Sequence, residues 1–414
     1  MPEPLIYVSR QKALLFAGFL VLYEFLTYIA NDMMMPGMLQ VVEAFNAPES
    51  AVATSLTAYV LGGASLQIFL GPLSDRYGRR PVMLSGAVIF FVFTLLIAGS
   101  QTINQFLLAR FFEGMGLCFI GVIGYATLQE IFDEMDAIRL VAIISNVALL
   151  APLLGPLVGA ALIHLMGWRA IFALIALLAL IALVGLWRFM PEPVGAKTRA
   201  GGKIARIPLS PRTVFGNYKA LLTDRSFMTG SLASGIISVP CIAWIGLSPL
   251  IIMRYGHASM MTYALWQLPV FGAIIVGNFV LHYLSRRFTI RTLILVGSAT
   301  TIGGLVLGVA LPVFISADYR WLMPGIILYS LGLGIANAPL YRHILFATPV
   351  SKGTAAALIS LFSMTAQGLG VEAASLVYVG HDNRVFALFC ALSGLVYAVC
   401  LLGVRMKTKG VPPA

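Results

Sequence analysis

Two carboxylates, Glu24 and Asp32, stand in an otherwise apolar stretch running from Leu22 to Gln40. An aspartate at the centre of a membrane helix costs about 2.5–3.5 kcal/mol to insert, so such a group normally faces a cavity or a partner and marks an ion or substrate path. On a straight helix the two acids are about 12 Å apart along the axis and about 80° apart around it. One broad face therefore presents both, with Tyr28 between them and Asn31 beside the second. A structural pair neutralised by another helix is the alternative reading.

A third charge, Arg110, follows in a second apolar stretch. Counting from the helix start near residue 104 puts it about 9 Å below one end, a depth compatible with that of Asp32. An arginine within reach of a carboxylate favours its charged form, and protonating the acid weakens the pair. Such a pair meets the physical requirement for a proton-controlled latch. Alternatively, Arg110 snorkels to the nearby interface. Other polar residues in apolar surroundings carry less information. Glu130 falls at the inner end of the same helix, Glu372 lies deeper in a later one, and Arg342 with His343 reads as interfacial.

These residues need long apolar elements to hold them, and the composition supplies little else. The 414-residue chain is 59% hydrophobic and 10% charged, with a mean hydropathy of +0.93, against about 25% charged for soluble proteins. It reads as all-α and polytopic. Spans of about 20 apolar residues fall near 13–35, 51–72, 81–100, 104–128, 139–163, 168–190, 226–252, 261–284, 290–315, 320–346, 353–379 and 384–405. The first is too long and too polar for a cleaved signal. The formal charge of +11 is scattered between apolar segments, which argues against nucleic acid. Bases gather in alternate loops (Arg10, Lys12; Arg76, Arg79, Arg80; Arg286, Arg287, Arg291; Arg405, Lys407, Lys409), so the positive-inside rule puts both termini in the cytoplasm. Asp133, Glu134 and Asp136 make the connection between the fourth and fifth spans an acidic exception. The cysteines, Cys118, Cys241, Cys390 and Cys400, lack paired or metal-ligand spacing and read as core filler.

From 191 to 225 the hydrophobicity collapses into proline, glycine and bases (Lys197, Arg199, Lys203, Arg206, Arg212, Lys219), the composition of a flexible linker. The chain divides there into residues 1–190, a 191–225 cytoplasmic connector and 226–414, each outer part holding six helices. The parts echo each other: Ser285, Arg286, Arg287 and Arg291 repeat, in degenerate form, the loop after the second span. Gly332 and Gly334 likewise repeat Gly114 and Gly116, with Leu328 opposite Arg110. Duplicated six-helix bundles are a transporter architecture with a midplane site and alternating access.

Gly71 to Met83, with Asp75, Gly78, Arg79 and Arg80 in order, resembles the signature loop of the major facilitator superfamily. Gly71 there would permit close helix approach, Asp75 would accept from a helix N-terminus or an arginine, and the arginines would complete a charge latch closing the inside. In the fifth span Gly155, Pro156 and Gly159 resemble the glycine-proline motif of the antiporter branch. Proline removes a helix hydrogen bond, and glycines at i and i+4 allow tight packing and bending. With Glu24, Asn31, Asp32, Pro36, the stretch Tyr125 to Glu130, and Trp266 to Phe271, the chain resembles the MdfA-type multidrug/proton antiporters over nearly its full length. That resemblance implies a bacterial inner-membrane, proton-driven exporter of cationic and neutral drugs, chloramphenicol among them, working as a monomer with no cofactor or metal. It implies Asp32, Glu24 and Arg110 for proton coupling, and Glu24, Tyr28, Asn31, Asp32 and Gln267 for substrate. Glu113, where the family pattern usually has glutamine, is a departure. The rival reading is a proton-coupled metabolite symporter or facilitator of the same fold, which the fifth-span motif argues against. No zinc-protease or nucleotide-binding motif speaks for an enzyme.

Overall fold

The computed structural model describes residues 6–197, 211–348 and 350–404. Backbone polar groups in hydrocarbon must be satisfied within their own segment, and the apolar runs accordingly fold as helices. Among the described residues, ten helices are long and apolar enough to span a membrane. A bent pair makes an eleventh span, and the helix Glu134–Phe189 divides at Gly167, whose φ of 76° is non-helical, to give the twelfth. In order they are α1 (Arg10–Ala44), α2 (Ala51–Ser65 with Gln67–Tyr77), α3 (Arg79–Ala98), α4 (Ile103–Ile131), α5 (134–166), α6 (168–189), α7 (Arg225–Arg254), α8 (Met260–Leu284), α9 (Ile290–Phe314), α10 (Tyr319–Ala347), α11 (Lys352–Gly380) and α12 (Asn383–Leu402). The all-α, twelve-span expectation holds.

Several boundaries differ from the sequence reading for local reasons. Span α1 continues past Pro36 to Ala44 because the proline falls in a single 3-10 turn, Met35–Gly37, that passes the chain into another helical segment. Span α2 bends by 41° at Leu66 and runs on to Tyr77. The acidic connection is barely a loop: Asp133 is the N-cap of α5 and accepts from the Asp136 amide at 2.9 Å. Acids belong at a helix N-terminus, so their sign reflects capping instead of topology. The connector is only partly as expected, since Pro211–Thr223 forms a helix. Its Leu221 is fully buried and its Tyr218 hydroxyl donates to the Ile68 carbonyl at 3.0 Å, tying it to α2. Arg199, Lys203 and Arg206 lie outside the described residues, as do Arg405, Lys407 and Lys409.

Helix contacts at glycine show how tightly the bundle closes. A Cβ on Gly62 of α2 would overlap the Phe111 carbonyl of α4, and one on Gly114 would overlap the Tyr59 carbonyl in return. In the second half, a Cβ on Gly334 of α10 would overlap the Ile274 carbonyl of α8. The close crossing recurs, α4 on α2 and α10 on α8, but not position for position: Gly332, the counterpart of Gly114, packs on the Thr301 backbone of α9, and Gly116, the counterpart of Gly334, faces Phe90 and Tyr23. Gly71 behaves otherwise: a Cβ there would meet nothing within 4 Å. The close approach expected of Gly71 is absent, because the loop's tight position is Gly78. Its φ of 112° favours glycine, and a Cβ there would overlap the Glu192 carboxylate.

The start of α1, the α2–α3 turn and the ends of α4, α6 and α12 share one face, here called proximal; the Ile6 amide donates to the Glu130 carbonyl there at 3.3 Å. On the distal face three loops meet. Glu49, between α1 and α2, accepts from Arg254 Nε at 2.8 Å and from the Tyr255 hydroxyl. Tyr255 stacks on His381, between α11 and α12, with ring centroids 3.9 Å apart. The hydrogen bond from Tyr255 holds the Glu49 carboxyl below its usual range, with Arg254 adding to the effect, while burial and Glu49 push the Tyr255 hydroxyl up to about 12.

Two measurements test this packing. Gly114→Ala should lose at least about 1–3 kcal/mol of stability through overpacking, whereas Gly71→Ala should be neutral or slightly stabilising; thermal melting in detergent reads both. A depressed Glu49 contributes stability above its unfolded-state value and loses it as pH falls through the folded one. The distance between the Glu49 and Tyr255 loops should therefore hold as pH falls to the ordinary glutamate value of about 4.3 and lengthen only at lower pH, and Glu49→Gln should abolish that step in spin-label measurements.

Candidate functional site

A cavity of about 520 Å3 opens between α1, α2, α4, α5, α7, α8 and α11, with Glu24, Tyr28, Asn31 and Asp32 on its wall. A second chamber of about 450 Å3 shares Glu24, Tyr28, Tyr125 and Gln367 with it and continues to Ser234, Tyr341 and Gly353, at the proximal ends of α7, α10 and α11. Asp32 thus lies at the blind end of one passage that runs to the proximal face, while the distal loops close behind it. Among the described residues, the charged groups on these walls are Glu24, which lines both chambers, and Asp32, which lines the first alone. The rest of the first chamber's wall is largely apolar and aromatic, including Tyr59, Ile245, Phe271 and Met364, whereas the second is lined by polar side chains such as Gln67, Ser238 and Asn337. That combination suits amphipathic guests bearing positive charge.

Glu24 is held against the wall, 4% exposed. One carboxylate oxygen accepts from the Tyr125 hydroxyl at 3.3 Å and the other has no hydrogen-bond partner among the described residues. Tyr125 reaches it because α4 widens into a π-helical turn, Ile120–Gly124, immediately before it. Gly121 and Gly124 within it suit such a bulge, and π-bulges recur at functional sites. Tyr28 projects into the cavity and is 39% exposed.

Asp32 and Arg110 are linked, but not as a direct pair. Arg110, 1% exposed, donates from Nη1 to Glu113 Oε2 at 2.5 Å and from Nη2 to Asn31 Oδ1 at 2.6 Å. Asn31 Nδ2 then donates to Asp32 Oδ1 at 3.2 Å. The direct latch drawn from the sequence is corrected to a relay through the asparagine amide. Its direct acid is Glu113, the residue that departs from the family pattern. Glu113 is fully buried, one turn along α4 from Arg110, and also accepts from Thr94 at 2.9 Å. Arg110 lies 4.3 Å from the Tyr59 ring centroid, so it does not snorkel. The i, i+3 spacing of Arg110 and Glu113 was the available sequence signal.

Gln267 is buried but absent from the cavity wall; it accepts from Trp244 Nε1 at 2.9 Å and bridges α8 to α7. Gln367 of α11, which sequence reasoning passed over, lines both chambers. In α5, a Cβ on Gly155 would come within 2.8 Å of Asp32 Cβ, and one on Gly159 would overlap the Met33 carbonyl. The two glycines let α5, with Pro156 between them, press directly on the Asp32 segment of α1. Asp75 pairs with Arg79 at 2.7 Å, and Arg79 with Glu130 at 3.0 Å. The Arg79 and Arg80 amides both donate to Glu192 at 3.0 Å. These partners all belong to α2–α4 and the segment after α6.

A twelve-span helical bundle with buried carboxylates in a passage reaching one face is the build of a secondary transporter. The Major Facilitator Superfamily model matches residues 20–371. The chain is 48% identical over 402 residues to Multidrug transporter MdfA of Yersinia pestis, covering 97% of this chain and 96% of that protein. It is 46% identical over 399 residues to Multidrug transporter MdfA of Escherichia coli O157:H7, covering 96% and 95%. Among solved structures, the partially occluded inward-open xylose transporter XylE of E. coli matches with a TM-score of 0.71 at 16% identity, over 97% of this chain and all of that one. At that identity it speaks for the fold alone. The chain belongs to the Major Facilitator Superfamily, within the family of the MdfA multidrug transporters, and is a multi-pass membrane protein.

The relay makes a stability prediction that separates its members. Glu113→Ala strands a fully buried guanidinium and should cost about 3–5 kcal/mol, seen as a lowered detergent melting temperature. Asn31→Ala leaves the Arg110–Glu113 pair intact and should cost well under half as much; equal losses would dissolve the distinction.

Proposed function

We propose that this protein is a proton-coupled multidrug antiporter that exports lipophilic cations and neutral drugs such as chloramphenicol. The observation that carries the reading is the negatively lined passage, in which Glu24 and Asp32 face the guest while the cation Arg110 is held behind the wall. The family's multidrug transporters and the fifth-span glycines support export over the symporter reading. Residues 1–190 and 226–414 act as rocking bundles joined by 191–225. By the positive-inside rule the proximal face is cytoplasmic, in a bacterial inner membrane, and the conformation described is inward-facing.

In this mechanism a drug enters from the cytoplasm and seats its apolar body against the aromatic wall, with any positive charge at Glu24 or Asp32. Tyr28 and Asn31 supply hydrogen bonds to it. Rocking opens the distal face, where a proton adds to the carboxylate, removes its charge and weakens the hold on a cation. The neutral acid also loosens its hydrogen bond from Asn31, and the amide passes that change to Arg110. The return swing carries the proton to the cytoplasm, where it leaves. Gly155, Pro156 and Gly159 let α5 bend during the swing, while Asp75, Arg79 and Arg80 hold α2, α3 and α4 together as one moving unit. No metal or cofactor enters, and the proton gradient supplies the energy.

Energised inverted vesicles test the reading. Drug accumulation should collapse with a protonophore, and Asp32→Asn should abolish drug-induced proton release while preserving folding. Glu24→Gln should impair export of a cationic drug at least tenfold more than that of a neutral phenicol, because only the cation needs a compensating charge. Protonophore-insensitive transport would overturn the coupling; equal losses would make Glu24 a structural or obligatory proton site.

A further inference from the structure

A groove of about 460 Å3 lies between the proximal ends of α8, α9 and α10, sharing no wall residue with the central passage. Its floor is apolar, formed by Leu281, Ile290, Leu293 and Pro339. Its rim carries His282, Ser285 and Arg342. His282 and Arg342 are exposed, and Arg286 donates to His282 Nε2 at 3.1 Å, bringing a second guanidinium to the same edge. Around the groove Phe279, Tyr283 and Phe346 are more than half exposed, as side chains facing hydrocarbon would be. Arg342 stacks over Phe346, 4.9 Å from the ring centroid.

The one acid that the second half places on this face is Asp224, which caps α7 and is taken up by the Ser226 and Phe227 amides. From Arg225 to Val404 the acids are Asp318, Glu372 and Asp382. Asp318 and Asp382 cap α10 and α12 at their distal starts, and Glu372 meets Thr54 near the distal end of α11. The proximal ends of α8, α9 and α10 thus gather Arg286, Arg287, Arg291 and Arg342 with no carboxylate of their own. An apolar trough with a cationic lip, at the depth where hydrocarbon gives way to headgroups, is complementary to a molecule that is apolar along its length and anionic at one end.

We propose that this groove is a binding site for an anionic phospholipid, with an acyl chain along Leu281, Leu293 and Pro339 and the phosphate at Arg342 and Arg286. Basic pockets between membrane helices recognise such headgroups, and each base near the surface contributes about 1 kcal/mol. A lipid wedged there braces α8, α9 and α10 against one another. It leaves the drug passage untouched.

Native mass spectrometry of the full chain released from nanodiscs of mixed phosphatidylglycerol and phosphatidylcholine tests the proposal. The wild type should retain phosphatidylglycerol in preference to phosphatidylcholine. Arg342→Gln and Arg286→Gln should each lower phosphatidylglycerol retention about fivefold, the equivalent of about 1 kcal/mol per base, with phosphatidylcholine unaffected. Arg320→Gln removes the same charge at the distal face and should change nothing. Leu293→Trp, which fills the trough and keeps every charge, should also reduce retention. Equal retention of the two lipids, no change in the groove variants, or an equal loss in Arg320→Gln would overturn it.

Discussion

Arg110 is a permanent cation with almost no contact with solvent, and the interior of the first six spans is arranged around satisfying it. A guanidinium cannot shed its proton to escape burial, so it requires a carboxylate, an amide and an aromatic face nearby. Glu113, Asn31 and Tyr59 supply these from α4, α1 and α2. Bringing three helices that close requires glycine at the crossings, which is why Gly62 and Gly114 sit where a methyl group would strike a backbone carbonyl. Charge satisfaction and packing are here one constraint.

Because the cation's direct debt is met by Glu113, Asp32 can stand on the cavity wall with only an amide between it and Arg110. Under the proposed mechanism this separation matters. An aspartate locked in a bidentate pair with arginine would give up its charge reluctantly, whereas one linked through a single amide hydrogen bond at 3.2 Å stays open to a proton or a drug cation. Glu24 is freer still, with one oxygen bonded to Tyr125 and the other buried without a hydrogen-bond partner among the described residues. Two acids in unequal environments give a broad-specificity site two ways to meet a positive charge.

The polar clusters on the two faces are unlike in construction. The distal one joins loops distant in sequence, Glu49 to Arg254, Tyr255 and His381, and so opposes separation of the parts it connects. The proximal cluster of Asp75, Arg79, Glu130 and Glu192 draws its members from the first half of the chain and braces α2, α3 and α4. On the proposed cycle the first is broken and remade with every swing, while the second travels as part of a rigid body. The groove at the ends of α8, α9 and α10 has no such internal acids, and the membrane would provide the missing charge.

By itself the sequence determined the all-α class, the approximate places of the spans, the family and the presence of Glu24, Asp32 and Arg110 in apolar surroundings, because span length and the cost of buried charge are local properties of the chain. It also carried the packing role of Gly155 and Gly159, whose spacing alone puts them on one helix face. Tertiary structure alone decided which charges meet. Residues 79 positions apart, Asn31 and Arg110, came together where Asp32 and Arg110 had been expected, since hydrogen-bond distance depends on helix rotation and crossing, which linear depth counting does not contain. The same reason turned Gln267 away from the cavity toward Trp244 and Gln367 into it. It also moved the demand for glycine in the signature loop from Gly71 to Gly78, where the backbone conformation and the Glu192 carboxylate fix it.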